Sequence, residues 1–375
     1  MKKYLVASTA LISAMMAMPA HAELNMDLGG HFRGYGVYAD DDTLNSRDFG
    51  LVRDTEIHFT GEATSDNGLT VGVHYEAVLG SANLETDEAY AYFAGNWGRV
   101  NLGKEDGAAY LLQVAAPSAD SNVDGLRTNI QGVNTLAGVA LDYDHADFRG
   151  AQRLTYLTPK FSGFQAGISY AADNSDRATT GGAGALGGLG FDTVGQFENM
   201  WEGAVRWDGE FEGFGVSAGA GYSTGEVQAT NLLVDPRNDQ VDTWNLGLNV
   251  AFQGFSVGAA YIESSVDFGA LPAAPIVDGL FGGDSETWVV GAAWDNGPYH
   301  VGASYLNSDI DAVAYDSVTP ASAATNVEVD RWTVGAGYTY GPGMSFRGAV
   351  AFGDIDFGAV DEDYTQVTIG TDIQF

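Results

Sequence analysis

The sequence lacks two features that would stabilise or anchor an exported protein. It contains no cysteine, so disulfide bonds cannot form, although an exported protein of this size can do without them. Beyond the N-terminal segment it has no run of about 20 apolar residues, the length that a membrane-spanning helix needs. The mature chain is therefore expected either to be soluble after export or to cross a membrane as a β-barrel, whose strands give a weaker hydropathy signal.

Basic residues are scarce, and this limits the partners of the chain. The sequence has 16 lysines and arginines against 50 acidic residues, which gives a formal net charge of −34. Such a chain repels nucleic acid and anionic surfaces, so we predict no nucleic-acid partner. Two interpretations of the charge stay open: it serves solubility or a saline habitat, or it creates a field that draws cations toward clefts.

The N-terminus predicts export. Lys2 and Lys3 form a basic segment, residues 5–18 form an apolar segment, and Ala20-His21-Ala22 is a small-residue cleavage site. This order is typical of a secretory signal peptide, and the apolar segment is too short for a membrane anchor. We expect residues 1–22 to be removed and residues 23–375 to form one domain, because no linker or solenoid repeat divides them.

Most of the mature sequence alternates between apolar and small polar residues, with breaks at glycine, proline, asparagine or aspartate. A period of two indicates β-strands, and about sixteen such segments follow one another. Aromatic residues stand at the ends of the apolar face, as Trp288 and Trp294 do on either side of Val290 and Ala292. Aromatic girdles of this kind are typical of lipid-facing barrels. The opposite face is too small and polar to fill the core of a soluble sandwich.

The breaks between strands alternate in length, as in outer-membrane barrels with short periplasmic turns and longer outer loops. Only a closed barrel pairs every backbone group in lipid without helices. Residues 104–148 break the alternation, and loops this long are usually functional. We predict an all-β fold, a transmembrane antiparallel β-barrel of about sixteen strands, with this long third loop folded into the pore.

Two short motifs are typical of enzymes but lack the context that the chemistry needs. Gly221-Tyr222-Ser223-Thr224-Gly225 matches a nucleophile elbow, yet no helical period follows it. Residues 182–187 match G-x-G-x-x-G, yet they do not open a helix. No set of serine, histidine and acid converges at one rim, so we predict that the protein is not an enzyme and needs no cofactor.

Histidines and acidic runs are the candidate metal ligands of the sequence. Four histidines fall on the polar parity of their strands: His31, His58, His74 and His300. No i,i+2 or i,i+4 pair supports a metal site, so we predict solvated wall residues and no metal. The runs Asp40-Asp41-Asp42 and Asp361-Glu362-Asp363 are expected to be solvated loops, with a loop-bound calcium ion as the alternative.

Charged residues are the candidates for the pore lining. Six arginines share the inward parity of their strands: Arg33, Arg149, Arg153, Arg206, Arg331 and Arg347. In one interpretation each pairs with a wall carboxylate and has no role in transport. In the other, which we adopt as the prediction, several face the loop acids Asp106, Asp120 and Asp124. A field between them would order water and favour small hydrophilic solutes.

Three stretches of the sequence are distinctive: Ile57–Glu62 with Asp66–Thr70, Gly98–Lys104, and Val367–Phe375 with its terminal phenylalanine. On these stretches the mature chain resembles the general porins of Gram-negative outer membranes. The resemblance implies a sixteen-stranded barrel, a homotrimer, and a third loop inside the pore. It also implies that Lys104 lines the constriction, although simple strand parity points this residue away unless a bulge intervenes.

The expected function follows from this resemblance and from the charge. We expect an outer-membrane porin with a water-filled channel for passive diffusion of small hydrophilic solutes and ions. The excess of acids favours a channel that leans toward cations. The alternative is a barrel that acts mainly as a receptor or adhesin, or as a solute-specific channel.

Overall fold

The computed structural model describes residues 24–41, 48–80, 84–130, 141–145, 148–174, 197–227, 239–267, 280–315, 322–357 and 360–375. The expected signal peptide and the glycine motif at residues 182–187 lie outside the described residues. Within the described part, no helix is long and apolar enough to cross a membrane.

Sixteen antiparallel strands form one closed barrel, in which consecutive strands pair and the first pairs with the last. The strands are β1 (Leu24–Asp41), β2 (Phe49–Thr64), β3 (Thr70–Leu79), β4 (Leu84–Gly95), β5 (Gly98–Lys104), β6 (Gln152–Leu157), β7 (Phe164–Asp173), β8 (Phe197–Phe211), β9 (Phe214–Val227), β10 (Asp239–Phe252), β11 (Phe255–Asp267), β12 (Leu280–Asn296), β13 (Tyr299–Tyr315), β14 (Ser322–Gly341), β15 (Met344–Phe357) and β16 (Val360–Gln374). At the closure, the backbone amide of Phe375 donates to Gly30 O at 3.1 Å. The predicted fold class and strand number are confirmed.

The two faces of the wall differ as the alternation predicts. Leu248, Val290 and Ile369 are 49%, 42% and 70% exposed on the outer face, while their neighbours on the inner parity, such as Asn245 and Thr368, are buried. Lipid covers the outer side chains in a membrane, so this apolar band is the surface that a bilayer requires. The outward direction predicted for the apolar parity is confirmed.

Aromatic pairs across neighbouring strands form a row at each edge of this band. Near the long loops the pairs are Tyr170–Trp201, Trp244–Tyr261 and Trp288–Tyr305, with ring centroids 4.6, 4.8 and 5.1 Å apart. Near the short turns they are Phe214–Phe252, Tyr299–Tyr338 and Tyr340–Phe346, at 4.4, 5.3 and 4.4 Å. Tyrosine and tryptophan rings suit the boundary between lipid and water because one end is apolar and the other polar.

The short turns have a backbone that suits two-residue hairpins. Gln253 and Gly254 join β10 to β11 with φ angles of 50° and 85°. Two consecutive residues with positive φ make a type I′ turn, whose twist matches that of the flanking strands. The turns at Ser162–Gly163 and Glu212–Gly213 have the same pair of angles within 1°.

The inner face is less polar than the sequence suggested. Val289 and Leu306 lie on the inner parity and pack with Ala116 and Tyr143, which belong to the chain between β5 and β6. A second cluster joins Val327, Val329, Ile355 and Tyr364, with Leu141 packed against it. The expectation that small and polar residues cover the whole inner face was therefore wrong, because the chain inside the barrel shields part of that face from water.

Residues 105–151 join β5 to β6, and we call this segment the inner loop; its described residues (105–130, 141–145 and 148–151) lie inside the barrel, as predicted for the third loop. It begins with a single helical turn, α1 (Ala108–Leu111), and then runs along the wall from β9 to β14. Three glycine pairs line this path, and each pair joins neighbouring strands: Gly219–Gly247, Gly258–Gly291 and Gly302–Gly335.

The close approach of loop and wall explains the glycines. A Cβ atom at Gly247 would lie 2.1 Å from Val114 O, and one at Gly291 would lie 1.8 Å from Pro117 O. Real Cβ atoms do not approach backbone oxygen so closely, so only glycine leaves room for the loop backbone. The glycine-lined wall therefore sets how far the loop lies from the barrel axis.

One acidic run differs from its prediction. Asp361, Glu362 and Asp363 lie within β16 and not in a loop, so consecutive carboxylates point to opposite faces of the sheet. Asp42 of the other run lies outside the described residues. Calcium binding by either run stays a prediction.

We expect Gly291→Ala to push the inner loop toward the barrel axis. The new Cβ would displace Pro117 O by roughly 1–2 Å before normal contact is restored, and the overpacking should lower the free energy of unfolding by about 1–3 kcal/mol. Single-channel conductance should fall, since the loop can move only into the lumen. Gly50→Ala is the control, because a Cβ at Gly50 meets nothing within 4 Å. Equal conductance and stability in both variants would show that the loop does not rest on this wall.

Candidate functional site

Two buried carboxylates fasten the tip of the inner loop to the barrel wall. Asp120 accepts hydrogen bonds from Tyr35 Oη on β1 at 2.9 Å and from Arg347 Nη1 on β15 at 3.0 Å. Asp124 accepts one from Ser304 Oγ on β13 and one from the backbone amide of Asp120 at 3.1 Å. Burial raises the pKa of the Asp124 carboxyl above its usual value, although the Ser304 hydrogen bond opposes this shift. The loop is thus held across the lumen by polar contacts at its far end.

A buried ion pair holds the start of the inner loop. Arg153 on β6 pairs with Glu202 on β8 and also donates to Phe148 O. Glu202 Oε2 in turn accepts a hydrogen bond from the backbone amide of Ala109 in α1 at 3.3 Å. A Cβ at Gly107 would lie 1.8 Å from Glu202 Oε2, so glycine is required at this contact. The guanidinium therefore pairs with a carboxylate of the wall, and it lines the same small cavity as the loop acid Asp106.

Two more wall arginines donate to backbone carbonyls of the loop. Arg206 Nη1 donates to Gln113 O at 3.2 Å, while its Nη2 lies 2.9 Å from Asp208. Arg331 is buried and donates to Leu141 O at 3.4 Å. Both guanidinium groups thus bind carbonyl oxygens of the loop backbone, which accept their hydrogen bonds. These hydrogen bonds go to carbonyl groups of the loop, while the charge of Arg331 also acts on the predicted acid Asp124.

A cation inside the loop neutralises the loop's own acids. Arg127 lies 2.6 Å from Asp106 and 2.5 Å from Asp144, and its guanidinium carbon lies 4.0 Å from the centre of the Tyr110 ring. Arg149, in the turn before β6, also pairs with Asp144. Although burial opposes it, the field of Asp106 raises the pKa of Arg127 above its usual value. Sequence reasoning missed Arg127, because only the fold brings both acids to it.

Arg33 and Lys104 each contact a neighbouring strand of the wall. Arg33 on β1 pairs with Asp54 on β2 at 2.6 Å. Lys104 pairs in register with Gln152, which is exposed on the outer parity, and its Nζ donates to Thr86 O at 2.7 Å. Lys104 thus stands on the outer parity of β5, as simple strand parity predicts, and its place at the constriction stays a prediction.

Histidines and carboxylates alternate across β1, β2 and β3 on the inner face, and we call this row the histidine ladder. His31 Nδ1 lies 3.8 Å from Glu56, which lies 3.0 Å from His58 Nε2. His58 Nδ1 lies 3.5 Å from Glu76, which lies 2.8 Å from His74 Nε2. The His58 side chain is 32% exposed, so the ladder faces the lumen. Glu56 and His58, like His74 and Glu76, are two positions apart on one strand, but only the pairing of β1, β2 and β3 joins them into one row.

A buried histidine of the loop contacts the serine of the nucleophile-elbow motif. His145 Nε2 lies 2.7 Å from Ser223 Oγ, and Asn245 Nδ2 lies 2.6 Å from His145 Nδ1. Because Asn245 Nδ2 donates both here and to Ala109 O, Nδ1 must accept and Nε2 carries the proton. Burial lowers the pKa of His145 to about 4. With Nε2 protonated, the imidazole cannot take a proton from Ser223, and the contact ties the loop to β9 and β10.

One carboxyl of the loop titrates near neutral pH. Glu105 is buried at the exit of β5, and its Oε2 accepts a hydrogen bond from Asn101 Nδ2 at 2.6 Å. Burial raises the pKa of Glu105 to about 7, although the Asn101 bond opposes this shift. The carboxyl is therefore neutral in acid and charged in base, with the change centred near neutrality.

The structure brings most of the predicted pore residues to the contact between loop and wall. Those at this contact are Asp120, Asp124, Arg153, Arg206, Arg331 and Arg347, whereas Asp106 and Arg149 pair with other residues of the loop. Arg347 is the arginine that meets a predicted acid directly. The part that these residues play in permeation stays a prediction.

A closed sixteen-stranded barrel with a loop fastened inside it is the geometry of an outer-membrane pore. A family model described as Gram-negative porin matches residues 7–356. The chain belongs to the Gram-negative porin family. It is therefore an outer-membrane protein that forms a channel, and the resemblance seen in the sequence is confirmed. No protein of curated function matches the chain in sequence.

Solved structures share the fold of this porin at low identity. An anion-selective porin from Comamonas acidovorans is 18% identical, with a TM-score of 0.64, over 94% of this chain and 100% of that chain. Salmonella typhi OmpF in complex with daunomycin is 16% identical, with a TM-score of 0.60, over 93% and 97%. The trimer form of Vibrio cholerae OmpT is 13% identical, with a TM-score of 0.62, over 94% and 99%. At these identities the likeness concerns the fold alone.

Arg347→Gln should loosen the tip of the inner loop. Asp120 would keep its charge in a buried site without a cation, which should cost about 1–3 kcal/mol of unfolding free energy. Arg347→Gln combined with Asp120→Asn removes both charges and should recover part of that loss. Urea unfolding of the detergent-solubilised porin measures both variants. If the double variant instead loses more unfolding free energy than Arg347→Gln, as two independent defects would, the two residues are not coupled.

Glu105→Gln should remove a pH-dependent part of the ion selectivity. A pKa of about 7 means that Glu105 loses its proton, and the pore gains a negative charge, as the pH rises through neutrality. Cation preference, measured as zero-current potential in a salt gradient, should therefore increase between about pH 6 and pH 8. In Glu105→Gln this increase should be smaller. Glu212→Gln, at an exposed short turn, is the control and should retain it.

Proposed function

We propose that this porin forms a homotrimeric, cation-preferring channel for passive diffusion of small hydrophilic solutes and ions. The observation that carries the cation preference is the unequal neutralisation of charge inside the barrel. Arginines are bound to carboxylates or to the loop on one side of the lumen. On the other side, carboxylates face histidines.

The arginine side has little positive charge left to attract anions. Arg153, Arg206 and Arg347 each lie within ion-pair distance of a carboxylate, and beside the ladder Arg33 pairs with Asp54. Arg127 lies against two carboxylates, and Arg149 against one of them. Each pair lowers the field that its guanidinium group exerts on the lumen.

The histidine side keeps its negative charge. Among the described residues, the ion-pair partners of Glu56 and Glu76 are His31, His58 and His74. A histidine cancels a carboxylate only while its imidazole is protonated, whereas a guanidinium group stays charged. The net charge of −34 adds a field of the same sign. Rings and patches of carboxylates favour cations in pores.

The trimer is supported by an uneven wall. The strands from β3 to β7 have 6 to 12 residues, whereas those from β12 to β14 have 17 to 20. A membrane strand needs about 9–11 residues, so β5 and β6 are too short to face lipid over its full depth. Two further copies of the chain would cover this low wall, and a trimer form is described for Vibrio cholerae OmpT.

Export and the pore residues complete the proposal. A protein of the outer membrane has to be exported, and cleavage of its signal peptide is proposed after Ala22. N-terminal sequencing of the mature protein would test this. The residues proposed to line the constriction are Arg33, Lys104, Asp106, Asp120, Asp124, Arg149, Arg153, Arg206, Arg331 and Arg347.

Planar bilayers give the direct test. Purified porin in a tenfold potassium chloride gradient should show a zero-current potential of the sign that a cation-preferring pore gives, with conductance steps that appear in threes. Glu76→Gln should shift this potential toward zero, while Glu212→Gln should not. A potential of the opposite sign would overturn the cation preference, and single steps of one size would speak against a trimer.

Liposome swelling tests the diffusion of neutral solutes. Swelling rates should fall smoothly with the size of a series of sugars and should not saturate with concentration. Saturation with one sugar would instead support a solute-specific channel, and no swelling at all would support a receptor or adhesin.

A further inference from the structure

The histidine ladder contains a set of atoms that suits a transition-metal ion. His31, Glu56 and His58 each offer one ligand atom, and these three atoms lie within 4.8 Å of one another. All three side chains lie on the inner face, and the two histidine rings are 5.8 Å apart between centroids. We propose that His31, Glu56 and His58 bind a divalent transition-metal ion such as Zn²⁺ on the pore wall, and that this ion reduces conductance.

The separations are close to those around a bound zinc ion. Bonds of about 2.0–2.2 Å in a tetrahedral site place neighbouring ligand atoms about 3.4 Å apart. Glu56 Oε2 lies 3.0 Å from His58 Nε2 and 3.8 Å from His31 Nδ1. Small rotations of these side chains would therefore complete the site, with no change in the register of β1 and β2.

The outer contacts of both histidines match those of metal ligands. His31 Nε2 lies 3.1 Å from Asp54, and His58 Nδ1 lies 3.5 Å from Glu76. In metal sites the second ring nitrogen of a histidine usually donates to a carboxylate, which fixes the tautomer and orients the ring. Asp54 is itself held by Arg33 at 2.6 Å. The ladder thus supplies both the ligands and the partners that orient them.

The ligand types decide which ion fits. Two imidazoles and one carboxylate suit Zn²⁺, Cu²⁺ or Ni²⁺, whereas Ca²⁺ and Mg²⁺ prefer oxygen ligands alone. Three protein ligands leave the fourth position to water, and the exposed edge of His58 places that position toward the lumen. A bound dication there would replace a negative patch of the wall by a positive one and repel passing cations.

The binding test uses the full-length porin purified in detergent. Zn²⁺ titrated into it in a calorimeter should bind, and His31→Gln or His58→Gln should weaken binding by at least about tenfold, since even the outer partners of metal ligands contribute about 10–100-fold. The matched control is His300→Gln, which changes another inner-face histidine that lies 2.8 Å from a carboxylate, Asp295, but far along the chain from the ladder. Its affinity should equal that of the unchanged protein.

The channel test rests on the proposed function, and the binding test does not. Zn²⁺ should lower single-channel conductance and a chelator should restore it, while the same concentration of Ca²⁺ should have little effect. The variants His31→Gln and His58→Gln should conduct normally without metal, which shows that they fold, and should lose the response to Zn²⁺.

The outcomes separate the two proposals. Unchanged Zn²⁺ affinity in both ladder variants, an equal loss in His300→Gln, or equal binding of Ca²⁺ would each overturn the metal site. Normal conductance in a porin that binds no Zn²⁺ would refute the site and leave the channel intact. Zn²⁺ binding by a protein that does not conduct would refute the channel and keep the site.

Discussion

Every backbone N–H and C=O group in the lipid-facing wall must find its partner within the sheet, because lipid offers none. This constraint forces the first strand to pair with the last, and closure fixes an inside and an outside for every residue. Closure gives each strand one inner and one outer face. Leu248 and Val290 stand on the outer face and therefore face lipid. Within the same sheet, the pairing of β1 with β2 and of β2 with β3 brings His31, His58 and His74 to one stretch of the inner wall.

The interior is organised by how the inner loop fills it. Glycine pairs such as Gly258–Gly291 let the loop backbone lie on the wall, and the arginines then bind the carbonyl and carboxylate oxygens that it presents. Charge is largely neutralised wherever loop and wall touch. The carboxylates of β2 and β3, at Glu56 and Glu76, keep histidine partners and face the lumen, so the loop makes the pore electrically uneven.

Much of the fold could be predicted from the sequence, and the site only in part. Strand parity is a property of adjacent residues, so the directions of Trp288, Val290 and Arg206 needed no tertiary information. The inward packing of Val289 and Leu306 could not be predicted. The residues that pack on them belong to the inner loop, more than a hundred positions earlier in the chain. Arg206 and Arg331 were placed correctly on the inner face, but their acceptors are loop carbonyls, which carry no signal in a sequence.

The sequence by itself determined that this protein is a membrane barrel with one lipid-facing and one water-facing parity, because an alternation with a period of two can be read from adjacent residues. Only the tertiary structure decided which charges meet. His31, Glu56 and His58 come together through the register of β1 with β2, and Arg347 meets Asp120 across 227 positions of the chain. Such partners depend on closure of the barrel and on the path of the inner loop, and neither can be read from spacing along the chain.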